Sequence, residues 1–223
     1  MSGVRRQRPA ALLALALLSM LGLAGCGGGG SDSGAPVASV SIEDDDGLHG
    51  VVLPRPYAVP AITLEDAAGK PYDVATDPSK RLTLVFFGYT HCPDICQVVM
   101  ANIASALTRL DPGQRKQVGM LFVTTDPARD DAATLRAYLN RFDRSFDGLT
   151  GDLPTIVRFG KAFGVFIAKG QKLPSGGYDV NHSTQVVGMI PNRRAPFVWT
   201  EGTSPADLAD DISTILQGKV RGL

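Results

Sequence analysis

Two buried-type strands, each followed by an amphipathic helix, restrict this chain more than any other feature. Leu82 to Phe87 is a continuous apolar run of strand length. Asp94 to Leu110 then carries Ile95, Val98, Val99, Ile103, Ala106, Leu107 and Leu110 at helical spacing. Val118 to Val123 repeats the strand pattern, and Ala132 to Phe142 repeats the helical one with Leu135, Tyr138 and Leu139 on one face. Strands that are apolar throughout need cover on both faces. Short strand-helix-strand crossovers imply parallel strands with helices packed on the sheet.

The flanking segments extend this order. Ile62 to Leu64 and Tyr72 to Val74 surround a Gly69-Lys70-Pro71 turn and read as a hairpin opening the domain. Leu153 to Phe163 reads as a third helix and Phe166 to Val180 as a glycine-rich irregular stretch. Gln185 to Ile190 and Pro196 to Trp199 read as strands around the turn Pro191 to Arg194, and Ser204-Pro205 starts a closing helix through Leu216. An initial βαβ, a late antiparallel hairpin and a terminal helix follow the thioredoxin order. The expected fold is therefore α/β and thioredoxin-like over residues 51–220, a central mixed sheet flanked by helices with an N-terminal β-hairpin extension. A chain of 223 residues with an apolar fraction of 44% can build the core this requires.

The N-terminus differs in composition. Arg5, Arg6 and Arg8 precede an apolar run from Ala10 that ends in Leu23-Ala24-Gly25-Cys26. The order basic, apolar, small is that of a secretory signal, and the run is shorter than the roughly 20 residues a membrane-spanning helix needs. Leu-Ala-Gly-Cys resembles the bacterial lipobox, which would make residues 1–25 a lipoprotein signal peptide and Cys26 a lipid anchor; the plainer reading leaves Cys26 as a free cysteine in the leader. Residues 26–50, rich in Gly, Ser and Asp, read as a flexible tether ending near a solvated His49. The expected location is extracytoplasmic (periplasmic), with the membrane reached through Cys26. With 22 basic and 22 acidic residues and no long basic stretch in the domain, nucleic acid is excluded as a partner.

If Cys26 is the anchor, Cys92 and Cys96 form the one remaining thiol pair, in a compartment where disulfides persist. They stand where strand gives way to helix, the first thiol at the helix N-terminus and the second about one turn in. Unpaired N–H groups there stabilise a thiolate, the reactive and metal-binding form. A bridge spanning so few residues constrains little of the unfolded chain and makes a poor structural staple. His182, in Val180-Asn181-His182-Ser183-Thr184, falls just before a strand, where thioredoxin oxidoreductases usually carry a proline facing the cysteines. An imidazole at that place adds a third donor opposite two thiolates. Two soft sulfurs and one nitrogen suit copper as Cu(I) or Cu(II), whereas structural zinc usually takes four protein ligands and no fourth cysteine or histidine is evident.

Three segments carry a family resemblance: Phe87-Gly88-Tyr89-Thr90-His91-Cys92-Pro93-Asp94-Ile95-Cys96, Thr124-Thr125-Asp126-Pro127-Ala128-Arg129-Asp130, and Tyr178-Asp179-Val180-Asn181-His182-Ser183. Together they look like the Sco/SenC family, over roughly residues 50 to 220. The resemblance implies that Cys92, Cys96 and His182 bind copper and that the chain helps load the copper centre of cytochrome c oxidase, with the copper-receiving subunit and a thiol reductant as partners. Gln97 and Asn181 depart from the family's usual proline and acidic residue. Asp126 stands either beside the site, as the family's matching aspartate does, or as a turn residue before Pro127. His91 is expected to point away, and Tyr89 and Phe87 to be core. Other readings stay open: a thiol-disulfide reductase with Cys92 attacking and Cys96 resolving, a peroxidase, or a copper and redox sensor.

Overall fold

A computed structural model describes residues 47–172 and 178–221. The signal segment, Cys26 and nearly all of the proposed tether lie outside the described residues. The elements run β1 (Val51–Ala58), β2 (Thr63–Asp66), β3 (Pro71–Asp73), β4 (Leu82–Gly88), α1 (Ile95–Arg109), α2 (Pro112–Arg115), β5 (Val118–Thr124), α3 (Ala132–Leu139), β6 (Asp147–Thr150), α4 (Leu153–Ala162), β7 (Ile167–Lys172), β8 (Tyr178–His182), β9 (Val186–Ile190), β10 (Arg194–Trp199) and α5 (Pro205–Leu216). Eight strands form one mixed sheet in the order β1-β10-β9-β4-β5-β6-β2-β3, while β7 and β8 form a separate two-stranded sheet. β4 pairs in parallel with β5 from Leu82↔Val118 to Gly88↔Thr124 and antiparallel with β9.

The continuous apolar run of β4 serves two cores. Leu82, Leu84 and Phe86 face α1, α3 and α5 through Val99, Met100, Ile103, Leu107, Leu135, Leu139 and Ile212. Val85 and Phe87 face the other side, against Ile156 and Phe159 of α4 and Phe163 just past its end. Each of these fully buried side chains contributes roughly 1.5–3 kcal/mol of transfer free energy. Aspartate and serine caps set several helix starts: Asp131 accepts from Thr134 N at 2.7 Å, Asp152 from Thr155 N at 2.9 Å, and Ser204 from Asp207 N at 3.1 Å.

The fold class is as expected from the sequence, with two differences. Within the stretch Phe166 to Val180, expected to be irregular, the described residues form β7 and β8, which pair antiparallel from Ile167↔His182 to Lys172↔Tyr178. β1 is an additional strand that precedes the expected opening hairpin; its Pro54 and Pro56 are tolerated because it lies at the sheet edge, with a register shift between Val52 and Tyr57. The expected opening hairpin is present, β2 pairing antiparallel with β3, and it continues the main sheet beyond β6.

A buried carboxylate fixes the start of the domain. Asp211 on α5, 1% exposed, accepts hydrogen bonds from His49 N, Gly50 N and Trp199 Nε1, each at 2.8 Å. A Cβ on Gly50 would collide with the Trp199 indole, so glycine is required by close approach. His49, expected to be solvated, has a half-exposed ring 3.8 Å from Asp207. Asp211→Ala would orphan three donors, and we expect a loss of about 3 kcal/mol, read as a lower urea midpoint at unchanged slope. An unchanged midpoint would show that those donors find other acceptors.

Candidate metal centre

The centre is built at the C-terminal end of β4. The Gly88 carbonyl accepts from Thr125 N at 2.7 Å and Thr125 Oγ1 at 3.2 Å, tying the end of β4 to the loop after β5. A Cβ on Gly88 would lie 3.2 Å from Cys96 Sγ, so the missing side chain makes room for the second thiol. The loop after Gly88 turns back on itself, with Cys92 N donating to Tyr89 O at 3.2 Å. Asp130, wholly buried, accepts from Thr90 N at 2.9 Å, Thr90 Oγ1 at 2.6 Å and Thr124 Oγ1 at 2.7 Å, which clamps this loop to β5.

α1 begins at Ile95, so Cys92 lies in the loop before the helix rather than in its first turn, and Cys96 lies in that turn. The helix start has no side-chain cap. Its N–H groups remain available to the sulfur, and those of Asp94 and Cys96 stabilise the Cys92 thiolate. A proton shared with Cys96 holds Cys92 well below the ordinary thiol range, against the opposing effect of burial. The same sharing, together with burial, pushes Cys96 above that range. Both cysteines are free thiols, Cys92 6% and Cys96 0% exposed.

His182 reaches the thiols from the end of β8, opposite Ile167 in the hairpin register. Its Nδ1 lies 2.9 Å from the Ser183 carbonyl. A carbonyl only accepts, so Nδ1 carries the proton and Nε2 presents its lone pair. That Nε2 lies 3.5 Å from Cys96 Sγ. The imidazole is wedged edge-on against Phe86 and Tyr89, with centroids at 6.2 and 5.9 Å. Cys92 Sγ, Cys96 Sγ and the imidazole thus gather with donor atoms within 4.8 Å of one another, the one such group of potential metal ligands among the described residues.

Asp126 is not in that group. Buried at 2% exposure, its carboxylate is bound by Arg129 Nε, and its carbonyl accepts from Arg129 N and Asp130 N at 3.1 and 3.0 Å, the geometry of a turn residue. His91 turns toward Thr90 Oγ1, 3.0 Å away, and Asp130, 3.6 Å away. Phe87 is core. Tyr89 is also buried, yet it borders the site and donates to Asp179 Oδ1 at 2.5 Å. Asp130 and Asp179 were given no role from sequence. Both stand inside the segments that carry the resemblance, and only their partners distinguish them from ordinary loop and strand aspartates.

The thiol asymmetry predicts that iodoacetamide modifies Cys92 before Cys96. Because the folded pKa of Cys92 is depressed, its thiolate persists as pH falls, whereas an ordinary thiol loses about tenfold in rate per unit below its pKa. Peptide-mapped labelling at pH 8 and pH 6 should show Cys92 reacting at nearly the same rate at both. Labelling of Cys96 first would contradict the assignment.

The sequence model of the SCO1/SenC family matches residues 56–217. A mitochondrial SCO2 homolog of Danio rerio is 36% identical over 139 residues, covering 62% of this chain and 50% of that protein. The chain thus spans about half the length of such mitochondrial relatives. ScoI of Bradyrhizobium japonicum, solved with copper bound, is 30% identical with a TM-score of 0.63, covering 71% of this chain and 99% of that one. Arabidopsis thaliana ScoI, also solved with copper bound, is 25% identical with a TM-score of 0.66, covering 70% of this chain and 96% of that one.

Proposed function

Since the chain belongs to the SCO1/SenC family, we propose that it is a metallochaperone that holds copper through Cys92, Cys96 and His182 and passes it to the copper-receiving subunit of cytochrome c oxidase. The observation that carries this reading is the convergence of two sulfurs and one imidazole within 4.8 Å. Thiolates are soft donors suited to Cu(I), and imidazole accepts both copper oxidation states. The absence of a fourth donor from this group, among the described residues, is unlike the usual structural zinc site. The copper-bound relatives support the same cargo.

Capture needs two thiolates and one imidazole lone pair. Cys92 supplies the first thiolate, Cys96 releases its proton as the metal binds, and Nε2 donates without losing a proton because Nδ1 carries it. Release follows by ligand exchange, the partner's donors replacing these in turn. Oxidation of the pair, one thiolate and one thiol, to a disulfide gives up two electrons and one proton and leaves no thiolate, so the cycle requires a thiol reductant that is itself oxidised as it restores them. The family's oxidase role gives the receiving partner its identity in this proposal.

The thiol asymmetry favours a second reading of the same site. A lowered first thiol and a raised, buried second one are the profile of an attacking and a resolving cysteine, so the pair would also reduce a partner's disulfide. At the N-terminus we propose cleavage after residue 25 and lipidation of Cys26, giving an extracytoplasmic, membrane-anchored protein. Mass spectrometry of the cell-derived chain should show a lipidated Cys26, with Cys26→Ser lost from the membrane fraction. A Cys26→Ser chain that stays membrane-bound would overturn the anchor.

The deciding experiment is Cu(I) titration against a chromophoric competitor with X-ray absorption on the reduced protein. The expected wild-type result is one copper with two sulfurs and one nitrogen. Cys92→Ser and Cys96→Ser should each weaken binding by more than about a hundredfold, and His182→Ala should lose the nitrogen. Wild-type affinity in these variants would overturn the site. Disulfide reduction that survives His182→Ala alongside absent copper binding would establish the reductase instead.

A further inference from the structure

Among the described residues, the strand pair that carries His182 has no ladder to the main sheet, since β7 and β8 pair with each other in a separate two-stranded sheet. An isolated two-stranded hairpin is marginally stable, so its place depends on what ties it to the body. Val180 is buried in the core on the α1 side, and Ile167 packs partly against it. A polar tie, apart from His182 itself, is the hydrogen bond that Tyr89 Oη donates to Asp179 Oδ1 at 2.5 Å. It joins the loop that carries Cys92 to the strand that carries His182. Val180 N donates to the same carboxylate oxygen at 2.8 Å, which fixes the acceptor's orientation.

Tyr89 is itself held. Its ring meets the His182 imidazole edge-on, at 5.9 Å and 87°. The Arg129 guanidinium lies 5.7 Å from the ring centroid, and Arg129 is in turn bound by Asp126. A continuous chain of contacts therefore runs from the loop after β5, through Tyr89, to the hairpin. Asn181 is exposed, and the carboxylate of this strand that engages the cysteine loop is that of Asp179.

We infer that Tyr89 and Asp179 form a latch that positions His182 against the two thiols, so the copper affinity of the centre depends on a hydrogen bond made by neither a ligand nor a ligand's immediate backbone. The inference rests on His182 being the third donor. Tyr89 and Asp179 are positioning residues: they hold the histidine-bearing strand at the distance where Nε2 faces Cys96 Sγ.

The test uses the full reduced chain as wild type, Tyr89→Phe, Asp179→Ala and Asp179→Asn. Phenylalanine keeps the ring contact with His182 and removes only the hydroxyl, and Asp179→Ala removes the acceptor from a half-buried position, so the two variants strain the fold differently. Asparagine retains an acceptor oxygen and serves as the conservative rescue. In the copper-free protein, nuclear Overhauser contacts between the His182 ring and the Phe86 ring should weaken in Tyr89→Phe and Asp179→Ala and persist in Asp179→Asn. Cu(I) affinity should fall about ten- to a hundredfold in the first two variants, with loss of the nitrogen from the X-ray absorption ligand set, and recover most of the way in Asp179→Asn. The double variant Tyr89→Phe/Asp179→Ala should bind no more weakly than the weaker single variant, as expected for one shared bond.

Unchanged ring contacts in Tyr89→Phe overturn the latch whatever copper does. Wild-type copper affinity and an intact nitrogen in that variant overturn its functional consequence. A wild-type protein that binds copper without nitrogen would instead remove His182 as third donor, and the copper-free ring contacts would still decide whether the latch holds the hairpin.

Discussion

β4 lies in the middle of the eight-stranded sheet, parallel to β5 on one side and antiparallel to β9 on the other, and the metal centre depends on where it ends. Parallel pairing brings the ends of β4 and β5 side by side, so the loops after them lie together. Thr125 closes on the Gly88 carbonyl, and Asp130 clamps Thr90 and Thr124. Antiparallel β9 brings the segment just before it, with His182, to the same end of the sheet. One strand with both faces buried thus sets the level at which sulfur and imidazole meet.

Three carboxylates border this region, and each is occupied by donors of its own. Asp130 is satisfied by two threonines, Asp126 by Arg129 and Asp179 by Tyr89. The gap is left to two thiols and one imidazole lone pair. A hard cation prefers oxygen ligands, so tying up the carboxylates elsewhere favours a soft metal without any need to exclude acidic residues from the neighbourhood. The same packing splits the thiols: Cys92, just outside the helix, faces N–H groups of the helix start, and the more deeply buried Cys96 keeps the proton.

Elements whose pattern is dictated by burial were legible in the sequence. β4, β5, α1, α4 and α5 carry apolar residues in the period their packing demands, and their ends fall within a few residues of expectation. The hairpin of β7 and β8 was not legible, because Lys169, Gly170, Gln171 and Lys172 show no apolar alternation and the register shifts between Lys169 and Lys172. β1, an additional strand before the expected hairpin, carries prolines that its edge position tolerates. α3 stops at Leu139 although the helical pattern runs on to Phe142.

The sequence by itself determined the donor types and their local spacing: two thiols flanking a helix start and a histidine before a late strand. These follow from residue chemistry and from short-range geometry. The tertiary structure alone decided that His182 Nε2 faces Cys96 Sγ across a separation of 86 residues. It also decided that Asp126 turns to Arg129 and that Tyr89 reaches Asp179. Such choices depend on which side chains a packed core brings within hydrogen-bond range, and no local pattern encodes a partner that lies tens of residues away.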